Sequence, residues 1–187
     1  MEKSQILIAC GIFADELESV IPRRADLEVI WIDAALHADI ARLEVELGEA
    51  LARAKTSAAD IRILLGHGCQ PEMSQIVGKY GAKILSVKNC IEAFVGERIK
   101  ELEKNRTMIM TPGWVRAWQS MMKALGWNEV DVRINLGRYD RILILDPMIH
   151  PLTEEEILNF FDLCQVPVEI EPLDLSHFKH LLEEFLL

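Results

Sequence analysis

Seven short apolar runs recur along this chain: "QILIAC" (5–10), "LEVIWI" (27–32), "IRILLG" (61–66), "AKILSV" (82–87), "TMIM" (107–110), "RILILD" (141–146) and "VPVEIEP" (166–172). Segments of helical period fill the intervals between them. Strands that alternate with helices in this way pair in parallel, because each crossover must carry the chain back to the same edge. The pattern predicts an α/β fold: one domain over 1–187, with a mainly parallel sheet of about six to seven strands and helices on both faces. The plan is Rossmann-like. A chain of 187 residues is long enough to bury one substantial core.

The intervening segments read as amphipathic helices. "FADELESVI" puts Phe13, Leu17, Val20 and Ile21 on one face, and Asp39 is placed to cap a helix that turns Leu43, Leu47, Ala50, Leu51 and Ala54 inward. A short helix is expected after Pro71, another from about Cys90 to Lys104, and a third over 114–125 with Trp118 and Met122 at i and i+4. In "LTEEEI" Thr153 and Glu156 form a capping box, with Leu152 and Ile157 as the apolar staple. Pro167 pushes the last strand to a sheet edge, and Asp174 or Ser176 opens the final helix. The stretch 126–140 reads as mixed helix and turn.

Acidic residues outnumber basic ones 30 to 20, a formal charge of −10. Such a surface repels phosphate backbones and anionic membranes, so nucleic acid and membrane are not expected as partners. "MEKSQILIACGIF" is too short an apolar stretch for a span and lacks a signal-peptide layout. A cytoplasmic location is expected, where Cys10, Cys69, Cys90 and Cys164 remain thiols.

Ligands of open parallel sheets bind beyond the carboxyl ends of the strands. Cys10 ends the first strand, His37 follows the second in "DAALH", His67 and Cys69 follow the third in "GHGC", and Cys90 follows the fourth. "TPGW" with Trp114 follows the fifth. Thiolates and imidazoles favour zinc, cuprous ion, cobalt or an iron–sulfur cluster over magnesium or calcium. Gly11, Gly66 and Gly68 would let the backbone approach a bound group closely, Glu16 could supply an acid or base above the sheet, and Trp114 could cover an apolar cofactor. The plainer reading makes each cysteine a small core residue, which is where free thiols usually lie. Cys164 reads as packing, His177 and His180 as solvent-facing, and Asp146 as a site residue or a turn former.

Other chemistries lack their motifs. Pro71 stands where a dinucleotide loop needs its third glycine, and the chain carries no P-loop, HExxH, GxSxG or CxxC. A nucleophilic Cys69 with His67 as its base is disfavoured, since residues two apart seldom face each other.

Several segments together are distinctive: "IACG…DELE", "LH" after the second strand, "LLGHGC", "NCIEAFVGER", "TPGW", "RYDRILILD" and "VPVEIEPLDLSHFKHLLEEF". They resemble, over nearly the whole chain, a family of uncharacterised proteins from methanogens and other anaerobes, often encoded near corrinoid-dependent methyltransferases. The matching positions are Cys10, Glu16, His37, Cys69, Cys90 and Trp114. The family's "LGYGLC" is one residue shorter here, and its "HDCI" reads "KNCI", with Lys88 and Asn89 in place of a histidine and an acid. His67 is the residue that would stand in for that histidine. The resemblance implies a place in methyl or corrinoid metabolism and carries no activity with it.

Two expectations follow. The first is a metal- or metallo-cofactor-binding accessory protein, with Cys10, Cys69 and Cys90 as ligands and His67 or His37 completing the set. Zinc comes first among the ions, with an iron–sulfur cluster or a corrinoid as the other cofactors. The second is an interaction module that docks on a corrinoid protein or methyltransferase, its cysteines being core residues.

Overall fold

The computed structural model describes residues 5–21, 25–57 and 60–187. Residues 1–4, the start of the segment whose layout was read above, lie outside them. In chain order the elements are β1 (Gln5–Cys10), α1 (Ala14–Val20), β2 (Leu27–Ile32), α2 (Ile40–Ser57), β3 (Asp60–Leu64), α3 (Met73–Tyr80), β4 (Lys83–Ile84), α4 (Cys90–Val95) and α5 (Ile99–Leu102). They continue with β5 (Thr107–Met110), α6 (Pro112–Leu125), α7 (Glu129–Leu136), β6 (Arg141–Asp146), α8 (Glu154–Cys164), β7 (Val168–Pro172) and α9 (Ser176–Phe185). No helix among the described residues is long and apolar enough to cross a membrane.

Every strand pairing is parallel, as the alternation requires. The strands fall into two sheets rather than one: β2-β1-β3-β4 and β5-β6-β7. The break comes at β4, where the apolar run "AKILSV" contributes only two paired residues before the chain leaves the sheet. Strand β7 does lie at an edge, with Pro167 immediately before it.

Two apolar clusters support the sheets. The first surrounds β1 and β3 and takes in Leu43, Leu47, Ala50, Leu51 and Ala54 of α2, the face that its periodicity marks. The second lies between β5 and β6 and the helices α6, α7 and α8, with Trp118, Phe160 and Cys164 at its centre. Strand β6 joins the two: Leu143 and Leu145 face the first cluster while Ile142 and Ile144 face the second. Helix α9 returns to the first half, where Phe178 stacks on Phe13 at 5.5 Å and meets Phe94 at 4.8 Å.

The Thr153–Glu156 capping box is present, and Asp39 accepts from the Arg42 N–H at the start of α2. The helix expected from Cys90 to Lys104 is interrupted, because Gly96 takes a φ of +55° and a 3₁₀ turn follows before α5. Within 126–140 the structure has one defined helix, α7, opened by a second capping box between Asn128 and Asp131.

Candidate thiol and imidazole site

In the first sheet the connections part at β1, with β2 on one side and β3 on the other. The carboxyl end of β1 is therefore the switch point at which such sheets open a crevice. Cys10 is the last residue of β1 and is 2 % exposed. After β2, the Asp33 carboxylate accepts from the Ala35 N–H at 2.9 Å and starts a 3₁₀ turn over Ala34–Ala38. That turn carries His37 back over the sheet edge.

The His37 ring is oriented at both nitrogens. Nδ1 lies 3.0 Å from the Ala34 carbonyl, which can only accept, so Nδ1 holds the proton. Nε2 is then left with its lone pair aimed at Cys69 Sγ, 3.2 Å away. The Cys69 thiol donates to it.

Cys69 is placed by the loop after β3. The N–H of His67 donates to the Val87 carbonyl and that of Gly68 to the Lys88 carbonyl, both at 2.9 Å. A Cβ on Gly66 would stand 2.3 Å from the Lys88 oxygen and 2.6 Å from the Asn89 Cα. The space at "GHG" is thus filled by the Lys88–Asn89 backbone, and that close approach sets Cys90 beside Cys69. Cys90 opens α4, whose first turn is capped by the Asn89 side chain accepting from the Glu92 N–H.

Trp114 closes the site from the second half of the molecule. Its indole N–H donates to Cys90 Sγ at 3.1 Å, and its ring meets the His37 ring edge-on at 5.3 Å. Helix α6, which carries it, packs on the 34–38 turn.

Burial sets the ionisation of the group. It pushes Cys10 up to about 12, against the Ile12 backbone N–H, and the charges of Cys90 and Cys69 add to it. Burial likewise pushes Cys90 up to about 12, opposed by the Trp114 N–H and reinforced by Cys69. Cys69 is raised by burial, and His37 is lowered by it. The three thiols therefore lie close enough to feel one another's charge. At neutral pH all are protonated beside a neutral imidazole, and each thiolate formed would make the next costlier. A positive centre between them reverses that penalty, because a cation stabilises every thiolate it touches.

The structure brings Cys10, His37, Cys69, Cys90 and Trp114 together. The donor chemistry suits a soft ion, yet no group of three or more His, Cys, Asp or Glu among the described residues is arranged to hold a metal. His67 hangs on the same loop as Cys69 without a described bond from its ring to any thiol. Gly11 packs on the end of β2, where an added Cβ would meet the Ile32 oxygen at 3.4 Å. Glu16 lies on α1, its surroundings set by burial and by Asp15 and Asp146. Cys164 is buried in the second cluster, and Arg116 pairs with Glu156 at 2.8 Å on the surface. The lock on His37 could not be read from side chains alone, since its partner is a backbone carbonyl. Asp33, a turn-starting residue four positions before His37, was the available signal.

The family described as "Protein of unknown function (DUF1638)" matches residues 31–182. No curated protein matches the sequence.

Proposed function

The chain belongs to the DUF1638 family of proteins of unknown function, and from its site we propose that it binds a soft metal ion or metallo-cofactor at the carboxyl end of β1. Cys69 and His37 would hold the group, with Cys10 and Cys90 as the further thiols. Zinc suits this donor set best, and cobalt, a cluster iron or a corrinoid cobalt suits it next. The observation that carries the reading is the His37 ring, tied through Nδ1 to a backbone carbonyl and offering Nε2 to a sulfur 3.2 Å away. Metal-binding histidines are oriented in the same manner.

When bound, such an ion supplies Lewis acidity, holding a thiol as thiolate at neutral pH. The protein's own residues do the rest: His37 accepts from Cys69, the Trp114 N–H steadies charge on Cys90, and burial excludes water. Because no three donors among the described residues are set around one point, Cys10 or Cys90 must close on the Cys69–His37 pair as the site loads. We take the pathway from the family resemblance: an accessory role in corrinoid-dependent methyl transfer, beside a corrinoid protein or methyltransferase.

The test is elemental analysis with an absorption spectrum on protein purified without oxygen or an affinity tag, followed by cobalt reconstitution. Near-stoichiometric metal, or thiolate-to-cobalt charge-transfer bands, lost on Cys69→Ala, would bear the reading out. Metal retained by a Cys10→Ala, Cys69→Ala double variant would refute it. A folded, metal-free protein that takes up no cobalt and co-purifies with a partner would transfer support to the interaction-module reading.

A further inference from the structure

The second sheet ends at β7, and the outer side of that strand is an edge. Two bonds at its ends fix which backbone groups point outward. The Ile142 N–H donates to the Pro167 carbonyl and the Leu173 N–H to the Asp146 carbonyl, both at 2.8 Å. Alternate residues of a parallel ladder bond the same neighbour, so residues 167, 169, 171 and 173 turn their main chain to β6. Val168, Ile170 and Pro172 turn theirs away. Among the described residues no backbone group outside β6 and β7 bonds the N–H of Val168 or Ile170. Such an edge is a template for another strand, and charge is one device that blunts it. Here the charge is cancelled, since Glu169 pairs with Arg141 and Glu171 with Arg98 of the same chain.

The face of β7 that carries Val168 and Ile170 looks to the second cluster. Val168 packs there, while Ile170 is 45 % exposed. Helix α8 covers that face, with Phe160 and Cys164 in the cluster beside Ile142 and Ile144. One flank of α8 turns to α6 and α7: Glu156 pairs with Arg116, and Asn159 and Leu163 line a groove with Gln119 and Arg133. Helical periodicity puts Leu158 and Phe161 on the opposite flank, towards the β7 edge, where they are 61 % and 38 % exposed. The apolar flank of α8 and the apolar side chain of the edge strand thus face outward together.

We infer that this edge is the interface of a two-fold homodimer, in which β7 pairs antiparallel with β7 of a second copy and joins the two three-stranded sheets into one. The strand is self-complementary with Ile170 opposite Ile170 of the second copy. Each Ile170 N–H then meets the other's carbonyl, and each Val168 N–H meets a Pro172 carbonyl. Every outward N–H of both strands is used, and the one that Pro172 lacks falls at the rim. On the other face Glu169 comes opposite Glu171 of the second copy. Like charges so placed oppose pairing. Each such pair, however, brings Arg141 and Arg98 with it, and is neutral in a chain of formal charge −10. With α8 above β6 and β7, strands about 4.8 Å apart set α8 and its copy about 10 Å apart, the spacing of packed helices, with Leu158 and Phe161 of each between them. A foreign strand could use the same backbone groups but would bring neither the second pair of arginines nor the second α8. The thiols take no part, so this inference stands apart from the soft-metal reading.

The test is sedimentation equilibrium on the full chain. Wild type should have the mass of two chains at micromolar concentration. Ile170→Lys and Leu158→Lys, at exposed side chains, should keep the circular dichroism of the fold and each weaken association at least roughly thirtyfold. Arg98→Gln leaves Glu171 uncompensated and should weaken association in low salt, with recovery as salt screens the repulsion. Val130→Lys and Ile134→Lys, at side chains as exposed on α7, should leave the mass unchanged. Ile170→Cys should give a disulfide-linked dimer with copper phenanthroline in air, and Ile134→Cys should not. A wild-type chain that stays monomeric at hundreds of micromolar would overturn the inference and leave the edge to a strand of another protein. A dimer indifferent to both Ile170→Lys and Leu158→Lys would overturn it as well, placing the interface elsewhere.

Discussion

His37 Nε2 and Cys69 Sγ lie 3.2 Å apart although 32 residues separate them, and the bond between them joins the loops that follow β2 and β3. Burial favours the uncharged form on both sides of it, raising the thiol and lowering the imidazole. The pair is therefore a neutral S–H···N hydrogen bond and not a thiolate–imidazolium pair like those of cysteine nucleophiles. In metal-free folded protein at pH 7.4, iodoacetamide should modify Cys69 no faster than a free thiol, and Cys10 and Cys90 far more slowly. All four cysteines should react at once in denaturant. Selective, rapid labelling of Cys69 would instead make it a nucleophile, and peptide mapping decides between the two.

Glycine substitutions should separate the loop that builds the site from the helices that support it. Gly66→Ala drives a Cβ to within 2.3 Å of the Lys88 carbonyl oxygen, which is backbone and cannot swing away. Overpacking of that kind costs about 3 kcal/mol, and here it also parts Cys69 from Cys90. Gly68→Ala meets the same oxygen at 3.0 Å and should cost less. Gly48, inside α2, has nothing within 4 Å of an added Cβ, so Gly48→Ala should stabilise by about 0.5–1 kcal/mol. Urea denaturation of the three variants checks the order.

The surface cap of α8 gives a smaller, isolated effect. Thr153 accepts from the Glu156 N–H at 3.2 Å, and Glu156 returns to the Thr153 N–H at 2.8 Å. Arg116 and these bonds hold the Glu156 carboxyl down at about 2. Thr153→Ala should cost about 1 kcal/mol with no change in metal content, and thermal melts with elemental analysis would show both.

These residues also mark what a sequence can disclose. Parallel strands, the inward face of α2 and the Thr153 cap are local patterns, and each is present as read. The site is legible as far as its strand ends, because parallel strands bring Cys10, Cys69 and Cys90 to one edge whatever the loops do. What decides between His37 and His67 is not local. It depends on a carbonyl at Ala34 and on the backbone at Lys88–Asn89 filling the space that Gly66 leaves, neither of which any side-chain pattern encodes. The division into two sheets was hidden for a similar reason: "AKILSV" is apolar enough for a six-residue strand, but tertiary packing pairs only Lys83 and Ile84.

Buried Glu16 provides a pH signature of the fold. Burial, with the charges of Asp15 and Asp146, raises its carboxyl from 4.5 to about 7. Below pH 4.5 the folded and unfolded chains both carry the proton, and the stabilisation is fully present. Between pH 4.5 and 7 only the folded chain keeps it, so stability falls by up to about 1.4 kcal/mol per pH unit, on the order of 3 kcal/mol in all. Above pH 7 both states are ionised and the dependence ends. His37, lowered by burial, works in the opposite sense, losing stability as pH falls below its ordinary value. Comparing wild type with Glu16→Gln cancels that contribution. The wild-type stability from urea denaturation should decline relative to Glu16→Gln between pH 4.5 and 7 and run parallel to it above. A difference that stays flat across that window would mean that Glu16 is ionised throughout in the folded protein, and that its surroundings do not raise its carboxyl.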